Sequence, residues 1–489
     1  MVGKNKLIAF VLTATLYLAV FIFSINLPTD PDLGWHLKYG EYFFKTGTIL
    51  RDNIFSTMMS DYRWVNHSWL SDVLIYFVYN SSGFIGISLL GASLVTFTFF
   101  VLSRAFNLTL WNKAILFPII LLLVSNVNAV SFRSQMMSYF FTVVLFYILS
   151  LYEKNPKSLF LAVPLFLVWA NFHGGFIIGL ILLFGYLGIK KILEVKDNFN
   201  IKIIIPAVKF EFLVVLGILL ATLINPFGYG VYLESFNHFG NPWLKYVSEW
   251  AAFEDLSQQW WKLIVFVNLY LVGILLLFMN GNLKKNLTFS ALLLLFIGLS
   301  FYERRYSWSL YYLSAPILLG ISEYFKPSSK SVQKTVILLV SSVFLIIATH
   351  FKNSPNYYLS MNWDRFCLSA SNACSYEAID FILKNNLTTN LSTPYSWGGW
   401  MIWNYPEIKP SIDGRMHLWK DKNGYSAFGE YYTNVQDWES IDKSGYNTVL
   451  VLKQKPMFKR LKKLTKERKW RFVYEDDLSA VFVRTIYNL

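Results

Sequence analysis

Two carboxylates stand directly after the first apolar segment of the chain. Asp30 and Asp32 flank Pro31, and His36 follows four residues after Asp32. If a short helix begins at Pro31, Asp32 and His36 lie on one face of it, where they suit a general base or a pair of metal ligands. Acidic side chains are costly at a membrane boundary and are functional candidates there. The alternative is structural, because an aspartate at this position is also typical of a helix N-cap.

A second group of polar residues alternates with tryptophans. His67 lies within the segment 64–70, Trp-Val-Asn-His-Ser-Trp-Leu. Trp397, Trp400 and Asp413 stand in the C-terminal part of the chain. Tryptophan faces suit sugar rings, while Asn, His and Asp supply hydrogen bonds, so these residues are candidate sugar contacts. The alternative for the first loop is an aromatic segment that rests at the membrane interface, where tryptophan is favoured.

A third group is basic and lies near the predicted outer ends of helices. Arg133, Arg304 and Arg305 suit an anion site, because guanidinium groups bind phosphate in a fork. Gln135 and His173 fall on the same predicted side and are candidate binding residues. For a single arginine the alternative is a snorkelling anchor. For His173 the favoured alternative is a hydrogen-bonded residue at a helix junction.

The elements that must position these residues are transmembrane helices. The 489-residue chain is 55% hydrophobic and 15% charged, with a mean hydropathy of +0.40, whereas soluble proteins carry about 25% charged residues. Apolar runs that approach the hydrocarbon thickness recur along the first 350 residues. The sequence contains about eleven of them, at 6–27, 83–103, 113–130, 136–152, 158–170, 174–190, 210–225, 262–279, 287–301, 308–323 and 333–350.

The distribution of charge predicts the orientation. With the N-terminus inside, the cytoplasmic loops hold 16 basic and 5 acidic residues, whereas the opposite segments up to residue 350 hold 9 and 11. Basic residues in short loops are retained in the cytoplasm, so we expect a cytoplasmic N-terminus and, after eleven crossings, an exoplasmic C-terminal domain. Most of the net charge of +14 is then a topology signal, and no nucleic-acid partner is predicted.

The chain is therefore expected to contain a transmembrane domain over 1–350, with outer loops at 28–82 and 225–261, and a small α/β domain over 351–489. Cys367 and Cys374 at the start of the second domain pair if it is exoplasmic; two buried thiols are the alternative. The predicted strands are 389–393, 409–413, 447–452, 471–475 and 479–485, and the predicted helices are 376–385, 426–435 and 455–469.

These motifs together resemble those of bacterial polytopic proteins related to the GT-C glycosyltransferases. The likeness is carried by Asp30-Pro31-Asp32-Leu33-Gly34-Trp35-His36, Trp64-Val65-Asn66-His67, Arg133-Ser134-Gln135, Trp169-x-Asn171-x-His173-Gly174, Trp397-Gly398-Gly399 and Ile412-Asp413-Gly414-Arg415. The resemblance implies a GT-C-like helical fold and a polyprenyl-phosphate-linked sugar donor. It also implies that Asp30 or Asp32 is the base or a metal ligand and that Arg415 belongs to the binding site. A divalent metal is possible, and no other cofactor is predicted.

The leading hypothesis is an inverting glycosyltransferase of the bacterial plasma membrane. An Asp base would activate an exoplasmic glycan, lipid or protein acceptor, and the arginines would stabilise the departing lipid phosphate. Two other classes remain open. A carrier or flippase for a lipid-linked or anionic solute would need polar residues through the depth of several helices. A non-catalytic envelope scaffold would have no cavity beside Asp30 and Asp32.

Overall fold

Helices make up most of the chain. The computed structural model describes residues 2–125, 131–195, 201–237, 241–247, 249–250, 252–253, 260–350, 352, 354–368, 374–436 and 440–485. Its α-helices are α1 (Val2–Ser24), α2 (Leu33–Thr46), α3 (Trp69–Ala105), α4 (Leu110–Val124), α5 (Ser134–Tyr152), α6 (Ala162–Phe172), α7 (Phe176–Val195), α8 (Ile201–Thr222), α9 (Gly230–Phe236), α10 (Trp261–Met279), α11 (Leu287–Tyr302), α12 (Tyr306–Leu313), α13 (Ala315–Tyr324), α14 (Lys330–His350), α15 (Pro355–Ser360), α16 (Tyr376–Lys384), α17 (Gly398–Asn404), α18 (Ala427–Gln436) and α19 (Pro456–Lys466).

The chain divides into two compact units. Unit 1 comprises Met1–Leu27, Ile85–Val231 and Lys245–Ser354, and unit 2 comprises Pro28–Phe84, Tyr232–Leu244 and Pro355–Leu489. The first outer loop and the C-terminal part of the chain thus fall in the same unit. Most of the apolar helices fall in the other.

Within the described part of the chain, six helices are long and apolar enough to cross a membrane; five of them lie in unit 1, and α3 begins in unit 2 and continues into unit 1. Among the described residues, α1, α3, α5, α7, α10 and α14 are long and apolar enough to span a bilayer, while α4, Pro156–Phe172 and α11 are shorter apolar helices. This confirms a multi-pass helical membrane protein; eleven crossings stay a prediction. Helix α3 begins at Trp69, well before the apolar run expected from residue 83, and is interrupted at Gly83, where φ is 61°. Part of the predicted loop 28–82 is therefore helical.

Unit 2 contains a four-stranded sheet with the order β1-β2-β4-β3. Strand β1 pairs in parallel with β2, while β4 is antiparallel to both β2 and β3. Helix α19 buries Leu461 and Leu464 in the core of this sheet, beside Trp470 and Phe482. The strands are β1 (Leu391–Ser392), β2 (Thr448–Leu452), β3 (Trp470–Glu475) and β4 (Ser479–Arg484).

The predicted α/β elements of this region are confirmed with one exception. The strand expected at 409–413 is wrong: the carbonyls of Pro410 and Ser411 accept hydrogen bonds from the backbone N–H groups of Thr57 and Met58, outside the sheet. Cys367 and Cys374 form a disulfide, with their Cα atoms 5.6 Å apart. The paired alternative is therefore the one that the structure contains.

Candidate functional site

The segment that contains Asp30 and Asp32 turns directly into α2. The carboxylate of Asp30 is buried, and its Oδ1 accepts the backbone N–H of Asp32 at 3.1 Å. Asp32 is the N-cap residue of α2, but its side chain makes no capping bond. Its Oδ1 accepts the indole N–H of Trp35 at 3.1 Å instead. The helix thus begins at Leu33 rather than Pro31, and Asp32, which is half-buried, is the more accessible of the two carboxylates.

Three glycines allow close backbone approach around this segment. A Cβ atom on Gly34 would lie 1.8 Å from the carbonyl oxygen of Gly399, and one on Gly399 would lie 2.1 Å from that of Pro31. A Cβ atom on Gly414 would lie 1.6 Å from Oδ1 of Asp32. Gly399 and Gly414, which belong to two C-terminal motifs, therefore pack directly against the turn that contains Asp32.

His36 is part of a buried polar chain. Its Nδ1 lies 2.5 Å from Oδ1 of Asp72, and the other oxygen of Asp72 accepts Nδ2 of Asn66 at 2.7 Å. Burial alone lowers the pKa of His36, but the charge and hydrogen bond of Asp72, together with the charges of Asp32 and Asp30, more than offset it. The His36 pKa therefore lies above its ordinary value. Sequence reasoning missed Asp72, although an acid within an otherwise apolar helix is a signal that could have identified it.

Asp413 and Arg415 form a second buried group. Nη2 of Arg415 lies 2.7 Å from Oδ2 of Asp413 and donates to Oδ1 of Asn53 at 2.9 Å. Ser56 donates to the same carboxylate of Asp413. Burial raises the pKa of Asp413, but Arg415 more than offsets this, so the pKa lies below its usual range. The guanidinium also lies within 5.1 Å of three ring centroids, those of Phe55, Trp64 and Trp419.

The arrangement gives this ion pair a structural task. Residues 53–64 come from the first outer loop, while Asp413 and Arg415 come from the C-terminal part of the chain, so the pair fastens one to the other. Trp397 is likewise buried, with 0% of its surface exposed, and meets Trp400 edge-on at 5.7 Å. These three predicted substrate contacts lie inside unit 2. His67 is half-buried two residues before α3.

The predicted basic group lies in unit 1. Arg133 precedes α5 and places Nη1 2.5 Å from Oε1 of Glu249, while Arg305 lies over the ring of Trp250 at 4.3 Å. Burial lowers the pKa of Arg304. Gln135 is buried near the start of α5.

A lysine that sequence reasoning did not select lies in the same unit. Lys262, at the start of α10, is buried and donates to Oγ of Ser125 at 2.7 Å. It is close enough to Arg304 for the two charges to interact. The available signal was a lysine near the first residue of an apolar run. It was not selected because a charge at that position resembles an ordinary membrane anchor.

His173 occupies a helix junction. It ends α6, and its Nδ1 lies 2.7 Å from Oγ of Ser138 and 3.0 Å from the backbone nitrogen of Gly175, just before α7. Nδ1 thus accepts hydrogen bonds that hold the turn between the two helices. This geometry agrees with the junction interpretation of His173. The two separate apolar runs predicted at 158–170 and 174–190 are confirmed as two helices, α6 and α7.

The structure therefore brings together Asp30, Asp32, His36, Trp397, Asp413 and Arg415 in unit 2, and it holds Arg133, Gln135, His173, Arg304 and Arg305 in unit 1. No group of three or more His, Cys, Asp or Glu side chains that could hold a metal ion occurs among the described residues. A role for Asp30 or Asp32 as a metal ligand stays a prediction.

A solved structure supports the GT-C-like fold that the motifs imply. The structure of the Archaeoglobus fulgidus oligosaccharyltransferase in its apo form is similar to this chain, with a TM-score of 0.51 and 9% sequence identity. The similarity covers 90% of this chain and 69% of the archaeal chain. At that identity the likeness shows the fold alone. No protein-family model matches the sequence, and no curated protein matches it.

Proposed function

We propose that the chain is a membrane glycosyltransferase that moves a sugar from a polyprenyl-phosphate-linked donor to an exoplasmic glycan, lipid or protein acceptor. The observation that supports this most is Asp32, a half-buried carboxylate oriented by Trp35 at the start of α2. It stands in a chain that shares its fold with an oligosaccharyltransferase. We place the chain in the bacterial plasma membrane, with the N-terminus in the cytoplasm and the C-terminal domain outside.

In this proposal Asp32 acts as the general base. Its carboxylate takes the proton of the acceptor hydroxyl, the acceptor oxygen bonds to the anomeric carbon, and the bond from that carbon to the lipid phosphate breaks, with inversion. Asp30 is assigned a positioning role, because it is buried and its Oδ1 holds the backbone N–H of Asp32.

The basic residues of unit 1 are assigned to the phosphate. Arg133, Arg304 and Arg305 offer planar donors that suit a phosphate dianion, and Lys262 adds a fourth cation. Glu249 orients Arg133 through their 2.5 Å contact. Charge that develops on the leaving phosphate is stabilised most where donors are already in place.

The test is sugar transfer by the full-length protein in membranes, with a panel of radiolabelled polyprenyl-phosphate sugars as donors. We expect Asp32→Asn to lower the transfer rate about 10²–10⁴-fold, the usual contribution of a general base, and Asp30→Asn to lower it less. Asp61→Asn is the matched control, because Asp61 is an exposed carboxylate of the same loop. Undiminished transfer by both variants refutes the assignment. Transport of the lipid-linked sugar without transfer would favour a carrier instead.

A further inference from the structure

The outer face of α19 carries a row of lysines. Lys459, Lys463 and Lys466 repeat at intervals of four and three residues and are all exposed. This spacing places them in one line along the helix, opposite the face that enters the core of unit 2. The core-facing residues are Met457, Leu461 and Leu464.

One carboxylate neighbours the row: Glu467 pairs with Lys469, and its charge also interacts with that of Lys463. The segment 453–471 contains ten Lys or Arg residues and one acid, Glu467. Within the described part of the chain, no ion pair involves Lys459, Lys463, Lys466 or Arg468. The cations that do have carboxylate partners are Lys453 and Lys462 with Glu475, Arg460 with Asp442, and Lys469 with Glu467.

Helix stability does not account for this pattern. Lys459 and Lys463 are like charges four residues apart, which destabilises a helix. Lys459 also lies in the first turn of α19, which contains no acid and where a cation opposes the helix dipole. Only Lys463 and Lys466, in the last turn, suit the dipole. A row of lysines that destabilises its own helix has an explanation if the lysines bind an anion outside the chain.

The positive surface continues past the end of α19. Arg468 adopts a left-handed backbone conformation, with φ of 59°, and its exposed side chain follows the lysine row. A cavity of about 370 Å³ opens at this end of the helix. It is lined by Asp442, Arg468, Lys469, Trp470, Arg484 and Thr485.

We propose that the row formed by Lys459, Lys463, Lys466 and Arg468 is a contact surface for the anionic headgroups of a phospholipid bilayer. Lysine ammonium groups are hydrated point charges, which suit an array of lipid phosphates. The three lysines extend in a straight line of about 10 Å. Within α19, all of which is described, no fully exposed aromatic ring occurs, whereas binding of single-stranded nucleic acid uses such rings. This inference is independent of the proposed sugar transfer, because it concerns a surface and not the Asp32 turn.

The test measures contact between α19 and lipid. Cys367 and Cys374 are bonded to each other and no free cysteine occurs among the described residues, so Thr465→Cys allows a single fluorescent label in the last turn of α19, one residue before Lys466. The labelled full-length protein is placed in nanodiscs of phosphatidylcholine alone or mixed with phosphatidylglycerol, each with a headgroup-attached quencher. We expect stronger quenching in the anionic discs, because the equilibrium constant for contact between α19 and lipid should rise about fivefold for each lysine engaged.

The controls separate this surface from general charge attraction. K459E/K463E/K466E and added salt should abolish the difference between the two discs, because the attraction is screened. The matched control is K384E/K409E/K422E, which changes three exposed lysines elsewhere in unit 2 and should preserve the difference. Equal quenching in both discs, or equal loss in both triple variants, overturns the proposal. Soluble polyphosphate that binds the row while lipid composition has no effect also overturns it.

Discussion

Replacement of Asp72 by Asn should reverse the effect of pH that His36 exerts on stability. In the wild-type protein the pKa of His36 is raised above its usual 6.5, because the contact with Asp72 and the weaker effects of Asp32 and Asp30 together outweigh burial. A group with a raised folded-state pKa contributes stability that is complete below its unfolded pKa and is lost as the pH rises through the folded value. The contribution of His36 should therefore decrease as the pH rises above about 6.5.

In the Asp72→Asn variant burial becomes the dominant influence on His36. Asp30 and Asp32 still favour the imidazolium, but both act more weakly than Asp72. The pKa of His36 should then fall below 6.5, and protonation of the buried ring should destabilise the protein as the pH falls. Each unit by which the pKa of His36 is displaced between the two variants corresponds to about 1.4 kcal/mol of difference in stability.

The assay is thermal unfolding of the purified full-length protein between pH 5.5 and 9, with each variant compared with the same protein carrying His36→Gln. That subtraction removes the other groups that titrate in this range. We expect the His36 contribution to fall with rising pH in the wild type and to fall with decreasing pH in Asp72→Asn. Asp72→Glu retains the charge and should keep the wild-type sign. The same sign in wild type and Asp72→Asn would refute the reasoning.

Two further predictions concern the walls of the site. Gly414→Ala should lower sugar transfer by about 10²-fold, a typical effect of a 1 Å misplacement, because its Cβ would lie 1.6 Å from Oδ1 of Asp32. The control is Gly445→Ala, which should have no effect because no atom lies within 4 Å of the added Cβ. Unchanged transfer in both variants would contradict the placement of Gly414 beside Asp32. Arg415→Lys should lower the melting temperature by about 5 °C, since a charge-assisted hydrogen bond contributes about 1.5–3 kcal/mol and lysine cannot replace the fork. The exposed Arg63, 3.9 Å from Asp52, supplies the control Arg63→Lys, and an equal decrease in both variants would contradict a special role for Arg415.

The helical membrane architecture could be predicted because apolar composition and run length report directly on lipid. The positions of α16, α18 and α19 and of four strands also followed from local pattern. The strand predicted at 409–413 is wrong because this segment pairs with a loop and not with the sheet. Its actual partners, Thr57 and Met58, are more than 350 residues away, and a local pattern does not specify so distant a pairing.

The candidate site was predicted in part for a similar reason. Residue type identified Asp30, Asp32 and His36 as chemically significant, but it did not identify Asp72 as the partner of His36, since that contact joins α2 to α3. Residue type also suggested that Asp413 contacts a substrate, and the family resemblance assigned Arg415 to the binding site. The same three residue types, an acid, an arginine and a tryptophan, can bind a sugar at a surface or hold two segments together in a core. Burial distinguishes the two cases, and burial is not visible in the sequence.

The buried groups of unit 2 favour Asp32 over its neighbours as the reactive carboxylate. Asp413 is neutralised by Arg415, Asp72 is bound to His36 and Asn66, and Asp30 holds the backbone of the turn. Each of these acids is buried, and each has a task inside the protein. Asp32 is half-buried and lies in the turn before α2. Gly399 and Gly414 pack so closely against this turn that a Cβ atom on either would clash with it. The motif residues around it therefore fix the position of one accessible carboxylate, which is what a general base requires.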